Sequence, residues 1–127
     1  MSYVLFSIDR VDDLYTLSKF LRHVDTNRAM KKMQGEMKLC FGSWQGVIEQ
    51  SFIMRQDDYD TFVKPYGFTD QQESVLLVPE DTRQPCVLVY GNGTKMGIGP
   101  MREVSKEDAM AQAGWTYRPD LGLYFVA

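Results

Sequence analysis

Cys40-Phe41-Gly42-Ser43-Trp44-Gln45-Gly46-Val47-Ile48-Glu49-Gln50-Ser51-Phe52-Ile53-Met54 decides the fold of this chain. A short strand candidate over Met37 to Phe41 leads into a Gly-bounded loop, 42–46, that carries Trp44, and a second strand begins at Val47. Side chains along a strand alternate between faces. Ile48, Gln50, Phe52 and Met54 therefore share one face, read as packed under helices, while Val47, Glu49, Ser51 and Ile53 share the other. That second face holds a single carboxylate among apolar neighbours. A buried acid without a partner is costly. Glu49 is therefore either a solvated strand residue or an acid kept for a cationic ligand or for proton work.

Working outward, Tyr3-Val4-Leu5-Phe6-Ser7-Ile8 reads as a central strand, with Val4, Phe6 and Ile8 on one face and Tyr3, Leu5 and Ser7 on the other. Val11, Leu14, Leu17, Leu21 and Val24 recur at helical spacing, with Asp12 and Asp13 at the helix start. Asp25-Thr26-Asn27 offers a second cap, so the helix is expected to break there and resume over Arg28 to Met33 until Gly35. His23 reads as a surface or satisfied helix residue, and Arg28, Lys31 and Lys32 as a solvated face.

Beyond the Glu49 strand, acids at Asp57, Asp58 and Asp60 open a helix whose stripe is Tyr59, Phe62, Val63 and Tyr66. Pro65 ends or kinks it and Gly67 closes it. A strand follows over 71–78, then Cys86 to Tyr90, a Gly91-Asn92-Gly93 hairpin turn and a glycine-thinned return strand, Lys95 to Gly99. Ser105 caps a short helix expected to stop at Gly114, and Trp115 to Arg118 and Leu123 to Val126 form a last strand pair. The order predicts an α+β fold over residues 1–127 as one domain. It is a ferredoxin-like sandwich with an antiparallel sheet and helices on one face, plus a C-terminal hairpin and a short helix. The uncovered face carries Tyr3, Leu5, Val47 and Ile53, too apolar for water, so an oligomer is expected to close it.

Composition narrows the function. With 127 residues and a net charge of -3, the chain has no basic field for nucleic acid. No apolar run is long enough to span a membrane, and no secretion signal opens the chain, so a cytoplasmic protein with reduced Cys40 and Cys86 is expected. One histidine and no close Cys/His cluster argue against a metal site, and no cofactor is implied. The glycines at 91, 93, 97 and 99 do not sit between a strand and a long helix, so they are hairpin glycines and not a nucleotide fingerprint. Ser43 has no plausible histidine partner for acyl transfer. What remains is Glu49, Trp44 and the polar strand start at Gln71, Gln72 and Ser74, a set suited to a small cationic ligand. A Trp face attracts a cation by ~0.5–2 kcal/mol.

These residues carry a resemblance. Tyr3 to Ser7, Glu49-Gln50-Ser51-Phe52, Gln72-Glu73-Ser74-Val75-Leu76 and Arg102 to Lys106 with the final hairpin are similar, in that order, to segments of the phage-encoded S-adenosylmethionine lyases, formerly called hydrolases. The resemblance implies cleavage of S-adenosylmethionine to methylthioadenosine and homoserine lactone, in the cytoplasm of an infected host cell, in a counter-restriction role. It implies a homotrimer with the substrate between subunits. It makes Glu49 the catalytic-site acid, with Trp44, Gln72, Ser74, Ser7 and Ser43 as candidate substrate-binding residues. Trp44 stands where the family is expected to carry a Tyr. Two other readings stay open: a non-catalytic small-ligand or partner-binding counter-defence protein on the same fold, and a structural oligomer in which Glu49 pairs with an arginine such as Arg28 of a neighbouring subunit.

Overall fold

A computed structural model describes residues 2–8, 14–44, 46–70 and 72–127, apart from the side chains of Leu14 and Trp44. The expectations for Val11, Asp12, Asp13, Gln45 and Gln71 lie outside the described residues. In chain order the elements are β1 (Ser2–Ser7), α1 (Leu14–Ala29), β2 (Lys38–Trp44), β3 (Val47–Arg55), α2 (Gln56–Phe62), a 3-10 turn (Lys64–Tyr66) and β4 (Ser74–Pro79). Then come β5 (Cys86–Tyr90), β6 (Lys95–Gly99), β7 (Arg102–Val104), α3 (Lys106–Met110), β8 (Gly114–Arg118) and β9 (Leu123–Val126). The described strands form one nine-stranded sheet in the order β6-β5-β4-β1-β3-β2-β8-β9-β7, with every pair antiparallel.

The expectation of a small sheet with an appended hairpin needs correcting. The β5-β6 hairpin extends the sheet beyond β4, and β8, β9 and β7 extend it beyond β2. The physical reason is the edge. An edge strand with apolar residues on both faces invites stray pairing, and β4, with Val75, Leu76, Leu77 and Val78, would be such an edge without β5 beside it.

Alternation on β1 and β3 places the core. Val4, Phe6 and Ile8 are almost fully buried and lie with Phe52 and Met54 against Phe20 and Val24 of α1, Tyr59 of α2 and Val63 just after it. The contact is largely aromatic: Phe6 meets Tyr59 at 5.1 Å between centroids, and Phe20 meets Phe52 at 5.3 Å and Phe68 at 5.1 Å. Tilted and edge-on rings at these spacings suit the aromatic quadrupole. Ile48, expected under the helices, is instead 64% exposed, because it lies at the start of β3, two turns of the pleat away from the packed Phe52.

The helix does not break at Asp25: α1 runs through to Ala29. The Asn27 side chain does not cap a new helix but donates to the His23 carbonyl at 2.8 Å, one turn back. The helix unwinds at Lys31, which takes φ 55, ahead of the expected stop at Gly35. Gly35 serves packing, since a Cβ there would lie 2.8 Å from Arg55 Cδ. His23 is satisfied as expected, donating from Nε2 to the Phe62 carbonyl at 2.7 Å.

The acids of α2 divide their work. Asp57 is exposed and accepts from Arg55, which holds its carboxyl below the usual carboxylate range. Asp58 is 2% exposed and accepts from the backbone N–H of Gln34 at 2.8 Å and of Gly35 at 2.9 Å. It thereby ties the approach to β2 onto α2. Pro65 lies in the 3-10 turn, and Gly67 ends it in the left-handed region at φ 77. Ser105 caps α3 by accepting from the Asp108 N–H at 3.1 Å, and that helix ends at Met110, short of the expected Gly114. Among the described residues no helix is long and apolar enough to cross a membrane.

Candidate functional site

The site grows from the pairing of β1, β2 and β3. Ser7 faces Ser51 across the β1–β3 ladder, and Gly42 faces Glu49 and Cys40 faces Ser51 across the β2–β3 ladder. By alternation Ser7, Glu49, Ser51, Cys40 and Gly42 all belong to the sheet face that does not carry α1 and α2. Directly opposed strand residues stand about 4.5–5.5 Å apart at Cβ, close enough for short polar side chains to meet. The Ser7 hydroxyl donates to Glu49 Oε2 at 3.2 Å, and the Ser7 and Ser51 oxygens lie 2.8 Å apart. Both serines are buried, at 6% and 3% exposure, whereas Glu49 itself is exposed. The flanking residues on this face are apolar: Leu5 pairs with Ile53 one step along.

Among the described residues Glu49 has no ion-pair partner. One oxygen is held by an alcohol and the charge stays uncompensated. An exposed carboxylate in that state, above two buried serine hydroxyls and flanked by Leu5 and Ile53, is suited to a cation. Arg28, considered above as a pairing partner, lies 3.9 Å from Glu36 within the same chain.

Neither cysteine thiol is poised as a nucleophile. Cys40 has no exposed surface, and burial pushes its thiol up to about 12, so it stays protonated. Burial also raises the Cys86 thiol. Among the described residues no group of three His, Cys, Asp or Glu side chains is placed to hold a metal ion.

The other residues expected at the site fall differently. Ser74 opens β4, and because Leu76 faces Leu5, Ser74 shares the face of Leu5 and Ser7. Gln72 precedes the strand in a turn, where its N–H donates to the Thr69 carbonyl at 3.1 Å, rather than lying in the strand itself. Trp44 is the last residue of β2, paired with Val47 and Gly114, and its side chain lies outside the described residues. Ser43 pairs with Ile48 and Trp115, which puts its hydroxyl on the opposite face from Glu49. The strand runs on through 42–44 where a loop was expected, and the alternation continues with it.

Ser51 lies on this face as alternation predicts, and two residues that the sequence did not place there, Gly42 and Tyr90, join it. Ser51 holds Ser7; the signal was its i+2 spacing from Glu49 on a strand. Gly42 leaves the space beside Glu49 unfilled, and a Cβ there would reach Ser51 Oγ only at 3.5 Å, an ordinary contact. A glycine inside a strand often marks close approach by another group. Tyr90 faces Ser74 across the β4–β5 ladder, which no local sequence pattern announces. Tyr90, Ser74, Ser7 and Ser51 thus lie on four successive strands, a span of roughly 14 Å at ~4.8 Å per strand.

A family model, that of the S-adenosylmethionine lyase family, matches residues 13–127. The match takes in Glu49, Ser51, Ser74 and Tyr90 and begins after β1. A search of curated proteins finds no match. A match that leaves out only the first strand and the segment after it is decisive for the family. The chain belongs to the S-adenosylmethionine lyase family.

Proposed function

We propose that the protein cleaves S-adenosylmethionine to methylthioadenosine and homoserine lactone on the sheet face that carries Glu49. The observation that supports this best is the exposed Glu49 carboxylate, tied to Ser7 at 3.2 Å and without an ion-pair partner among the described residues. Family membership supplies the substrate class.

The reaction asks little of the protein. The substrate's own carboxylate oxygen attacks its γ-carbon, the carbon–sulfur bond breaks, and the sulfonium sulfur keeps the electron pair as neutral methylthioadenosine. A negative and a positive charge vanish together, so a site with little water favours the transition state. Holding the amino-acid chain folded contributes proximity, which in good cases amounts to ~7–11 kcal/mol. No proton need move.

In this reading Glu49 binds the substrate ammonium and so fixes the carboxylate over the γ-carbon. Ser7 holds Glu49. Ser74 and Gln72 face the polar end, and Trp44 covers the adenine or the sulfonium. Ser43, on the far face, is left out of the site. The strands β4-β1-β3-β2 with α1 and α2 form a ferredoxin-like core, and a homotrimer holds the substrate between subunits over the Glu49 face. The setting is the cytoplasm of an infected cell, where loss of the cofactor disarms restriction.

Glu49→Gln tests the assignment. The variant keeps the shape and the hydrogen bond from Ser7 but loses the charge. It is expected to fold and assemble normally and to lose at least about 100-fold in kcat/KM, the scale of a buried charge pair broken on one side. Turnover within twofold of the parent protein would remove Glu49 from the mechanism.

A further inference from the structure

We propose that Ser51 is a positioning residue whose hydroxyl, donated to Ser7, fixes the direction of the Ser7 proton and through it the rotamer of Glu49. The kinetic part of this rests on the lyase reading; the geometric part does not.

The direction of the chain follows from counting protons. Serine carries one hydroxyl proton, and an ionised carboxylate carries none to donate. Ser7 gives its proton to Glu49 Oε2, at 3.2 Å. The 2.8 Å contact between Ser7 and Ser51 must then be donated by Ser51. The order is Ser51 to Ser7 to Glu49. Both hydroxyls lie below the surface, at 3% and 6% exposure, so water does not readily substitute for either. A hydroxyl rotor has three staggered positions. A donor entering one lone pair of Ser7 selects the position that aims its proton at Glu49. Without that donor the Ser7 proton has other choices, and an exposed glutamate held by one bond loses its single orientation. The chain spans β1 and β3, so the orientation is set by rigid strands and not by a loop.

The test compares the parent protein with Ser51→Ala, Ser51→Thr, Ser7→Ala and the Ser7→Ala/Ser51→Ala double variant. Three-bond couplings across the Glu49 χ1 bond report its rotamer without needing turnover. One rotamer is expected in the parent and in Ser51→Thr, and averaged couplings in Ser51→Ala and Ser7→Ala. With S-adenosylmethionine as substrate, Ser51→Ala is expected to lose roughly tenfold in kcat/KM, the factor for one hydrogen bond, and Ser51→Thr to recover it. The double variant is expected to lose no more than Ser7→Ala alone, because Ser51 acts through Ser7. A single unchanged Glu49 rotamer in Ser51→Ala overturns the proposal, as do additive losses in the double variant. If Ser51→Thr does not fold, the Ala variants carry the comparison. If the parent protein leaves S-adenosylmethionine intact, the lyase reading falls and the couplings alone decide the role of Ser51.

Discussion

Replacing Asp58 tests the connection that delivers β2 to the sheet. Its carboxylate, 2% exposed, receives the backbone N–H groups of Gln34 at 2.8 Å and Gly35 at 2.9 Å. Hydrogen bonds to a charged group contribute ~1.5–3 kcal/mol each. Gln34 is exposed and Gly35 half-buried, so water recovers part of what Asp58→Ala removes, and the lower end applies. The sum is ~3 kcal/mol for two bonds. For a chain of this size each kcal/mol shifts Tm by about 3–5 °C, so Tm is expected to fall by about 9–15 °C. Asp58→Asn keeps one acceptor but turns an amide N–H toward the second donor, and should fall between the two. Thermal unfolding followed by circular dichroism, at a single protein concentration, measures both. An Asp58→Ala variant within about 3 °C of the parent would refute the reasoning, and Asp58→Asn falling further than Asp58→Ala would refute the assigned donor geometry.

Other outcomes follow from the same geometry. Gly42→Ala places a methyl beside Glu49 with nothing closer than Ser51 Oγ at 3.5 Å, so Tm should hold or rise while KM rises by about threefold to tenfold; an unchanged KM would mean that the substrate does not approach there. Ser43→Ala alters the opposite face, and steady-state kinetics should find kcat and KM within twofold of the parent, in contrast to Glu49→Gln. Cys40 keeps its proton in the folded chain up to about 12, against an ordinary thiol value of 9.0. The folded state therefore binds more protons through that window, so stability is full below it and declines as pH rises through it. Urea midpoints at a series of alkaline pH values should fall less steeply in Cys40→Ala than in the parent, and equal slopes would contradict the burial of the thiol.

Local chemistry was legible and long-range pairing was not. The alternation on β1 and β3 gave the faces of Val4, Phe6, Phe52 and Met54 correctly, because a strand's period is fixed by its backbone. Gly67 and the Gly91-Asn92-Gly93 turn were equally readable, since the residues that permit such turns are few. Asn27 misled because its side chain serves either a cap or the preceding turn, and tertiary packing on Phe20 and Val24 keeps the helix going. β7, three residues long and paired with β9, has no local period to announce it. The glycines at 42 and 46 point to a loop over 42–46. The strands instead run to Trp44 and from Val47, with Gly46 at φ 84 in the tight turn. The continued strand puts Ser43 on the face opposite Glu49 and sets Gly42 directly across from Glu49. Glu49 itself stood out as the one acid on its face. Its tie to Ser7 crosses from β3 to β1 and needed the structure.

The most direct measurement is incubation of the pure protein with S-adenosylmethionine in water enriched in oxygen-18, with the products resolved by chromatography and mass. Methylthioadenosine together with homoserine lactone, the lactone free of the heavy isotope and opening later to homoserine labelled in its carboxyl group, is the predicted result. Intact S-adenosylmethionine, or homoserine labelled at its γ-hydroxyl by direct attack of water, would contradict the account.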